Sequence, residues 1–114
     1  MSDCLFCKIR EGQIPAKVVY RDEHCLAFED INPQAPMHVL VIPNKHIATV
    51  NDISAEDREV AGHLFVAAAK LAKERGYAEG GYRVVMNNGR DAGQTVFHIH
   101  LHVLAGRPLH WPPG

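Results

Sequence analysis

Hydrophobic residues along this chain occur mostly in short runs separated by polar or proline-containing stretches, a pattern that predicts several strands. The polar stretch 21–24 is typical of a hairpin turn. The stretch 32–36 is predicted to be a loop, because its prolines have no N–H to donate to a sheet. We predict five strands, at 17–20, at 25–28, at 39–42, at 82–86, and from 95 or 96 to 104.

One long amphipathic helix is predicted over residues 55–75. Ser54 followed by Asp57 resembles a capping box with a shortened acid, and Gly76 predicts the end of the helix. Four apolar residues recur at helical spacing and define the face that we expect to be buried: Val60, Leu64, Ala67 and Leu71.

A second, short helix is predicted near the start of the chain, over residues 3–9. Asp3 is the predicted N-cap, and Gly12 closes the segment soon afterwards. Because the predicted strands are joined by short turns and interrupted by one long helix, the order of elements predicts an α+β fold. We expect an antiparallel sheet with the long helix on one face.

Composition and charge narrow the class of protein. A length of 114 residues predicts one domain, and 46% hydrophobic with 22% charged residues excludes a disordered chain or a coiled coil. A net charge of −1 provides no basic surface for a nucleic acid, and no apolar run approaches the length of a membrane span. The first four residues lack a secretory leader pattern, and three cysteines are too few for a disulfide framework, so we expect a reducing cytoplasm.

Histidine is the residue type that departs from average usage, with eight in the chain. His98, His100 and His102 alternate with apolar residues in the last predicted strand, so their side chains should share one face. Three imidazoles can bind zinc, or they can bind a phosphate that one of them attacks as a nucleophile. The preceding glycine-bearing loop, 87–94, offers oxyanion-binding groups that a metal site would not need, which favours the phosphate interpretation.

The segment 93–104, which carries these three histidines, resembles the signature of the histidine triad (HIT) family. The segment 27–36, with His38 and 41–43 after it, resembles the nucleotide-binding half of that family. The last residues, 106–114, are similar to the end of its Hint branch. The resemblance implies a HIT-like domain over residues 1–114, with a sheet that extends across a homodimer and a tail, 105–114, that reaches toward the partner.

The activity implied by the resemblance is that of a purine nucleoside phosphoramidase. Such an enzyme cleaves the P–N bond of AMP- or GMP-type phosphoramidates through a nucleotidyl-histidine intermediate. His100 matches the nucleophile of the family, and His102 matches the position that contacts the phosphate oxygens. His98 flanks them, and His38 matches a fourth histidine near the triad. A hydrogen bond to a backbone carbonyl would hold the nucleophile in the required neutral tautomer.

The resemblance also implies a set of nucleotide contacts. Asp30 matches the acceptor of the ribose hydroxyls, and Trp111 matches a tail residue that lies near the active site of the other subunit. An apolar clamp for the base is matched by Leu5, Phe6, Ile9, Phe28 and Ile31. Contacts to the sugar and the α-phosphate are matched, within and just after the glycine-bearing loop, by Asn87, Gly93, Gln94 and Thr95.

A Cys-x-x-Cys pair at Cys4 and Cys7 suits zinc or redox chemistry in a cytosolic protein. Some HIT proteins combine this pair with a histidine that corresponds to His46 and with the first triad histidine, His98, to bind structural zinc. Cys2His2 would form a closed tetrahedral set. The alternative is that both thiols are small apolar fillers on the short helix. Catalysis itself is expected to need no cofactor.

Two other functions compete with the phosphoramidase. A dinucleoside polyphosphate hydrolase of the same family would keep the fold and the phosphate chemistry, but the short chain and its Trp-Pro-Pro-Gly ending favour the phosphoramidase. A nucleotide-binding regulatory protein with little catalysis would need none of the triad. The intact triad, retained together with Asp30, Gln94 and Thr95, argues against it.

Overall fold

The computed structural model describes residues 3–114. Met1 and Ser2, which belong to the stretch predicted to lack a leader, lie outside the described residues. Two helices and five strands follow one another in the order α1 Leu5–Arg10, β1 Val18–Arg21, β2 Cys25–Glu29, β3 Met37–Pro43, α2 Arg58–Glu74, β4 Tyr82–Val85 and β5 Leu101–Ala105. Short 3-10 turns lie at Val50–Asp52, Ala55–Asp57 and Arg90–Ala92.

The five strands form one antiparallel sheet in the order β1-β2-β3-β5-β4. The predicted α+β fold, with about five antiparallel strands, one long helix and one short helix, is confirmed. β5 lies between β3 and β4, and its Val103 is aligned with Val39 on one side and with Val84 on the other. The chain therefore places the last histidine of the triad, His102, inside the sheet.

The two helices cover opposite faces of the sheet. Because side chains alternate along a strand, β3 sends Val39 and Val41 toward α2, and Leu40 and Ile42 toward α1. All seven residues of β3 are buried. Strands that are covered on both faces carry continuous apolar runs, which explains why the residues after His38, 39–43, are all apolar.

The start of α2 follows the predicted capping pattern, but its first turn is a 3-10 turn rather than α-helix. The N–H and the hydroxyl of Ser54 donate to the Asp57 carboxylate at 2.9 and 3.1 Å. Gly76 has a φ of +85° directly after the helix, a conformation that residues with a Cβ rarely adopt. In the predicted apolar stripe Leu64, Ala67 and Leu71 are buried, and Val60 packs half-buried against the same core.

The prediction for the start of α1 was wrong. The helix begins at Leu5, and its N-cap is Cys4 rather than Asp3. The Cys4 sulfur accepts a hydrogen bond from the backbone N–H of Cys7 at 3.4 Å. The thiol of Cys4 accepts the capping hydrogen bond that a hydroxyl or carboxylate usually accepts. Because N-caps are usually Ser, Thr, Asp or Asn, the sequence pattern favoured Asp3 as the N-cap.

The predicted last strand starts too early. β5 begins at Leu101, because the backbone before it bonds elsewhere: the N–H of Ile99 donates to the carbonyl of Ile47 at 2.8 Å. At the end of β3 the carbonyl of Pro43 accepts from the His98 ring at 2.8 Å instead of from a neighbouring strand. Side chains still alternate here, since Ile99 belongs to the core under α2. β4 ends one residue early, at Val85.

The β1–β2 turn is tied to α2 through Asp22. Its carboxylate accepts from the N–H groups of His24 and Cys25, from the Tyr20 hydroxyl at 2.6 Å and from the His63 ring at 2.6 Å. Burial alone would raise the pKa of Asp22, but these donors hold it well below its usual range. These contacts hold the β1–β2 turn against α2, so the network serves the fold.

No helix within residues 3–114 combines the length and the apolarity needed to cross a bilayer.

Candidate active site

His100 is a neutral imidazole with one ring nitrogen committed and one available. Its side chain is 8% exposed, and its Nδ1 donates to the backbone carbonyl of His98 at 2.8 Å. Because a carbonyl can only accept, the proton lies on Nδ1 and the lone pair on Nε2. Burial lowers the pKa of His100, which keeps the ring neutral. His100 therefore has the protonation state that a nucleophile requires.

His102 is held in the opposite tautomer by a chain of two hydrogen bonds. The backbone N–H of Gln34 donates to Nδ1 of His38 at 3.0 Å, so the His38 proton lies on Nε2. That Nε2 donates to Nδ1 of His102 at 2.9 Å, which leaves the His102 proton on Nε2. Burial, reinforced by the neighbouring imidazoles, lowers the pKa of His102 to about 4.

The two histidines are complementary. The ring centroids of His100 and His102 are 5.0 Å apart, and one ring carries a lone pair on Nε2 where the other carries a proton. A lone pair can attack phosphorus, and an adjacent N–H can donate to a phosphate oxygen. Asp30 lies beside this pair, with Oδ2 3.4 Å from Nε2 of His38.

We expect His38→Phe to lower kcat by at least about tenfold while KM changes little, since a wrong histidine tautomer costs up to about 10⁴-fold in a comparable catalytic pair. Phenylalanine keeps a ring in place but cannot donate to His102. Steady-state kinetics measure the loss, and ¹⁵N NMR of the His102 ring should show the proton leaving Nε2. His24→Phe is the control, because His24 lies outside this chain of hydrogen bonds. An unchanged kcat together with an unchanged His102 tautomer would show that the hydrogen bond from His38 to His102 does not contribute to catalysis.

His98 faces away from the nucleophile and toward the two cysteines. Its Nε2 donates to the Pro43 carbonyl at 2.8 Å, and its Nδ1 lies 3.4 Å from the sulfur of Cys4 and 3.5 Å from the sulfur of Cys7. Burial lowers the pKa of His98 to about 4, so the ring is neutral. With both ring nitrogens engaged, His98 acts on the reaction centre through its carbonyl, which holds His100.

The predicted metal ligands converge. The ligand atoms of Cys4, Cys7, His46 and His98 all lie within 4.8 Å of one another. The two Nδ1 atoms of His46 and His98 are 3.2 Å apart, and the Cys7 sulfur is 3.4 Å from Nδ1 of His46. Tetrahedral zinc with ordinary Zn–N and Zn–S bonds would separate such atoms by about 3.3 Å for N···N and about 3.5 Å for S···N. The arrangement of donors therefore fits zinc.

An apolar cavity of about 320 Å³ lies beside α1, on the face of the sheet opposite α2. All five predicted clamp residues line it, together with Asp30. Ile31 is fully exposed at its mouth, and the Asp30 carboxylate is oriented by a hydrogen bond from the N–H of Asn32 at 2.8 Å. The cavity combines apolar walls with a carboxylate at its rim, the two features that binding of a nucleoside requires.

The cavity wall contains residues that the sequence did not suggest. They are Glu29 of β2, Leu40 of β3 and the connecting segment from α1 to β1, with Ile14, Pro15, Ala16 and Lys17. Leu40 lies two residues after His38, so the alternation of β3 could have indicated it. No periodic pattern marks the connecting segment.

The glycine-bearing loop is held together by Gln94. Its side-chain oxygen accepts from the N–H of Gly89 at 2.8 Å, and its NH2 group donates to the carbonyls of Ala48 at 2.7 Å and Val96 at 3.1 Å. Gly93 permits the loop to close, with a φ of +83°. Gln94 therefore serves the loop backbone, and the nucleotide contact predicted for it stays a prediction.

The remaining predicted contacts lie near the surface. Asn87 is half-buried, and Thr95 is exposed at the end of the loop that leads to the histidines. Trp111 is 82% exposed, so it does not serve as core of its own subunit. The tail that carries it is fixed to the sheet edge by Arg83, which donates to the carbonyl of His110 at 2.8 Å.

Comparisons with known proteins agree over nearly the whole chain. A family model described as HIT domain matches residues 11–109. The purine nucleoside phosphoramidase of Escherichia coli K12 is 51% identical over 107 residues, which cover 94% of this chain and 90% of that protein. A HIT family hydrolase from Legionella pneumophila superimposes with a TM-score of 0.96 at 54% identity, covering 98% of this chain and 100% of that one. A histidine triad protein from Clostridium difficile gives 0.92 at 46% identity, with 96% of both chains covered.

Proposed function

This chain belongs to the HIT family, and from that premise we propose that it is a purine nucleoside phosphoramidase that hydrolyses the P–N bond of AMP- or GMP-type phosphoramidates. One observation carries the proposal. A neutral His100, with its proton fixed on Nδ1, lies beside the imidazole donor of His102 and packs against Phe6, which lines the apolar cavity. The relative from Escherichia coli, which carries the name of this activity, supports the choice of substrate.

In the first step, Nε2 of His100 attacks the phosphorus while the P–N bond breaks. The products are a nucleotidyl-His100 and an amine, which takes up a proton as it leaves. His100 keeps its Nδ1 proton and becomes a cation while it is bonded to phosphorus, and the carbonyl of His98 stabilises that charge at 2.8 Å. The Nε2–H of His102 donates to a phosphate oxygen as negative charge builds up.

In the second step, water attacks the same phosphorus and the bond to Nε2 breaks. The water loses one proton, which replaces the proton taken up by the amine in the first step, and the products are the nucleoside 5′-monophosphate and neutral His100, ready for another cycle. A histidine leaves easily from phosphorus because the ring regains its neutral aromatic form with the Nδ1 proton in place. No redox partner or metal is needed in either step.

Nucleoside recognition would divide between the cavity and its rim. The apolar walls, among them Phe6 and Phe28, take the flat base, and the Asp30 carboxylate accepts from the two ribose hydroxyls. Because the N–H of Asn32 already orients this carboxylate, it is in place before the nucleotide arrives. The geometry favours ribonucleotides over deoxyribonucleotides.

Kinetics with a small set of substrates tests the proposal. We expect turnover of adenosine and guanosine 5′-phosphoramidates with a kcat/KM at least about a hundredfold above that for diadenosine polyphosphates, the scale at which an active site separates related substrates. The released amine and the nucleoside monophosphate are quantified by chromatography. The reverse order would make the protein a dinucleoside polyphosphate hydrolase. Binding of GMP without turnover of any substrate would make it a regulatory nucleotide-binding protein.

We also propose that the chain works as a homodimer, with the tail 105–114 of one subunit near the active site of the other. The high exposure of Trp111 supports this, because a tryptophan on a proline-stiffened tail is suited to making a contact rather than a core.

Trp111→Ala is then expected to change the kcat/KM of one leaving amine relative to another by at least about fivefold, while the melting temperature and AMP affinity stay the same. The loss of an apolar contact in a specificity pocket is worth about 1–3 kcal/mol, which corresponds to roughly 5- to 150-fold. A panel of AMP phosphoramidates with small, bulky and aromatic amines measures the ranking, beside thermal melts. An unaltered ranking with a lower melting temperature would place Trp111 in a purely structural role.

Zinc is the metal that we propose for the cluster of Cys4, Cys7, His46 and His98. Four protein ligands leave no open position, so a bound zinc would supply a structural cross-link there. The hydrogen bond from His98 to the Pro43 carbonyl orients the ring for this purpose, as the partners of metal-bound histidines usually do. Thiolate ligands need a reducing compartment, which is consistent with a cytoplasmic location.

A further inference from the structure

We infer that zinc binding and nucleotide binding strengthen each other in this protein, because the four metal ligands hold in place both the wall of the base cavity and the nucleophile. The inference rests on the proposed function and on the proposed zinc. It adds a positioning role for the cysteine–histidine cluster in the nucleotide site, through two separate connections.

The first connection is helix α1. With six residues, α1 is too short to be stable alone in water, so its position depends on what it is attached to. Cys4 caps the helix and Cys7 lies within it, and both belong to the metal cluster. The residues between and after them, Leu5, Phe6 and Ile9, line the base cavity. A metal that fixes both sulfurs would therefore fix this wall of the cavity.

The second connection is His98. Its ring belongs to the metal cluster, and its backbone carbonyl accepts the hydrogen bond that sets the tautomer of His100. Phe6 joins the two connections, since its ring packs edge-on against His98 at 6.0 Å and against His100 at 5.0 Å. Movement of α1 would thus disturb the cavity wall and the packing of the nucleophile together.

The expected change in nucleotide affinity depends on the fraction of the protein in which α1 occupies its closed position. If α1 leaves its closed position for part of the time in the metal-free protein, the apparent nucleotide Kd rises by the inverse of the closed fraction. Linkage then requires that the nucleotide raises zinc affinity by the same factor. A rival arrangement is that the packing of Phe6 and Ile9, together with the hydrogen bond from Arg10 to the Asn44 carbonyl, holds α1 fully without metal. Zinc would then stabilise the fold and leave nucleotide affinity unchanged.

The experiment compares the full-length protein loaded with zinc and stripped by a chelator, at a temperature where both forms are folded. AMP serves as the ligand because it is not turned over. We expect calorimetry to show AMP binding weakened by roughly 5- to 150-fold on stripping, the usual range for coupled sites. Zinc affinity, measured by competition with a chromophoric chelator, should rise by the same factor when AMP is present. Amide hydrogen exchange over residues 5–10 should be faster in the stripped form.

His46→Ala provides a variant that removes one ligand with little loss of packing, because His46 is exposed and does not line the base cavity. We expect it to bind AMP as weakly as the stripped protein at zinc concentrations that saturate the wild type. The matched control is His24→Ala, a half-buried histidine outside the metal cluster, which should respond to zinc like the wild type.

Equal AMP affinity with and without zinc, in a protein that binds zinc, would overturn the coupling and leave the phosphoramidase proposal intact. Failure to bind zinc at all would overturn both the zinc proposal and the coupling, again with phosphoramidase activity unaffected. A zinc-loaded protein that binds no AMP and turns over no phosphoramidate would overturn the proposed function and the coupling together.

Discussion

His100→Asn is expected to abolish measurable phosphoramidate hydrolysis, with kcat reduced by up to about 10⁶-fold, the scale seen when a covalent nucleophile is removed. Asparagine can still donate to the His98 carbonyl, but it presents no imidazole lone pair to phosphorus. The base cavity and Asp30 remain, so AMP should bind within a few-fold of its wild-type affinity. Turnover of adenosine 5′-phosphoramidate and calorimetric titration with AMP measure the two quantities.

The intermediate gives an independent readout. Rapid acid quench of the wild type during turnover should trap protein whose mass has increased by one nucleotidyl group, and His100→Asn should show none. His24→Asn is the control, because His24 lies in the β1–β2 turn, outside the triad and outside the lining of the base cavity. Retention of substantial turnover by His100→Asn would exclude His100 as the nucleophile, whatever the fate of AMP binding.

Removal of the metal ligands should have the largest effect on stability. The double variant Cys4→Ser with Cys7→Ser is expected to lose the zinc, close to one ion per chain, that we expect in the wild type. A ligand present at a thousand times its Kd stabilises the folded state by about 4 kcal/mol. For a chain of this size that corresponds to a fall in melting temperature of roughly 15 °C. Metal analysis and thermal melts with and without added zinc provide the measurement.

Cys25→Ser separates metal loss from the cost of changing a thiol. Cys25 is buried in the sheet and lies outside the zinc cluster, so this variant should keep its zinc and its thermal response to added zinc, even where its own melting temperature is lower. A wild type that contains no metal and melts at the same temperature in zinc and in chelator would leave Cys4 and Cys7 as packing residues of α1.

The strands and α2 could be predicted from the sequence because their signals are local. A continuous run of branched apolar residues predicts β3, and the Ser54–Asp57 pair predicts the start of the long helix. Alternation also placed His100 and His102 opposite the core residue Leu101. In each case the residues that decide the structure are neighbours in sequence.

What the sequence did not reveal depends on contacts between distant segments. The Ile99 N–H bonds to Ile47, and the His98 ring bonds to the end of β3, so the residues predicted to start the last strand leave the sheet. The same contacts turn the first triad histidine toward the cysteines. Family resemblance named the four metal ligands, but only the fold shows that His98 cannot also present its ring to the phosphate.

The hydrogen bonds that fix His38 and His102 begin at a main-chain group, and this has a consequence for sequence variation in the loop before β3. The side chain of Gln34 is exposed, so position 34 should accept almost any amino acid in a saturation library selected for activity. Proline is the exception, because it would remove the N–H that donates to His38. Prolines already occupy positions 33 and 36, so the loop tolerates the residue type on either side. Position 34 would therefore resemble an unconstrained loop site in every respect except a strict exclusion of proline.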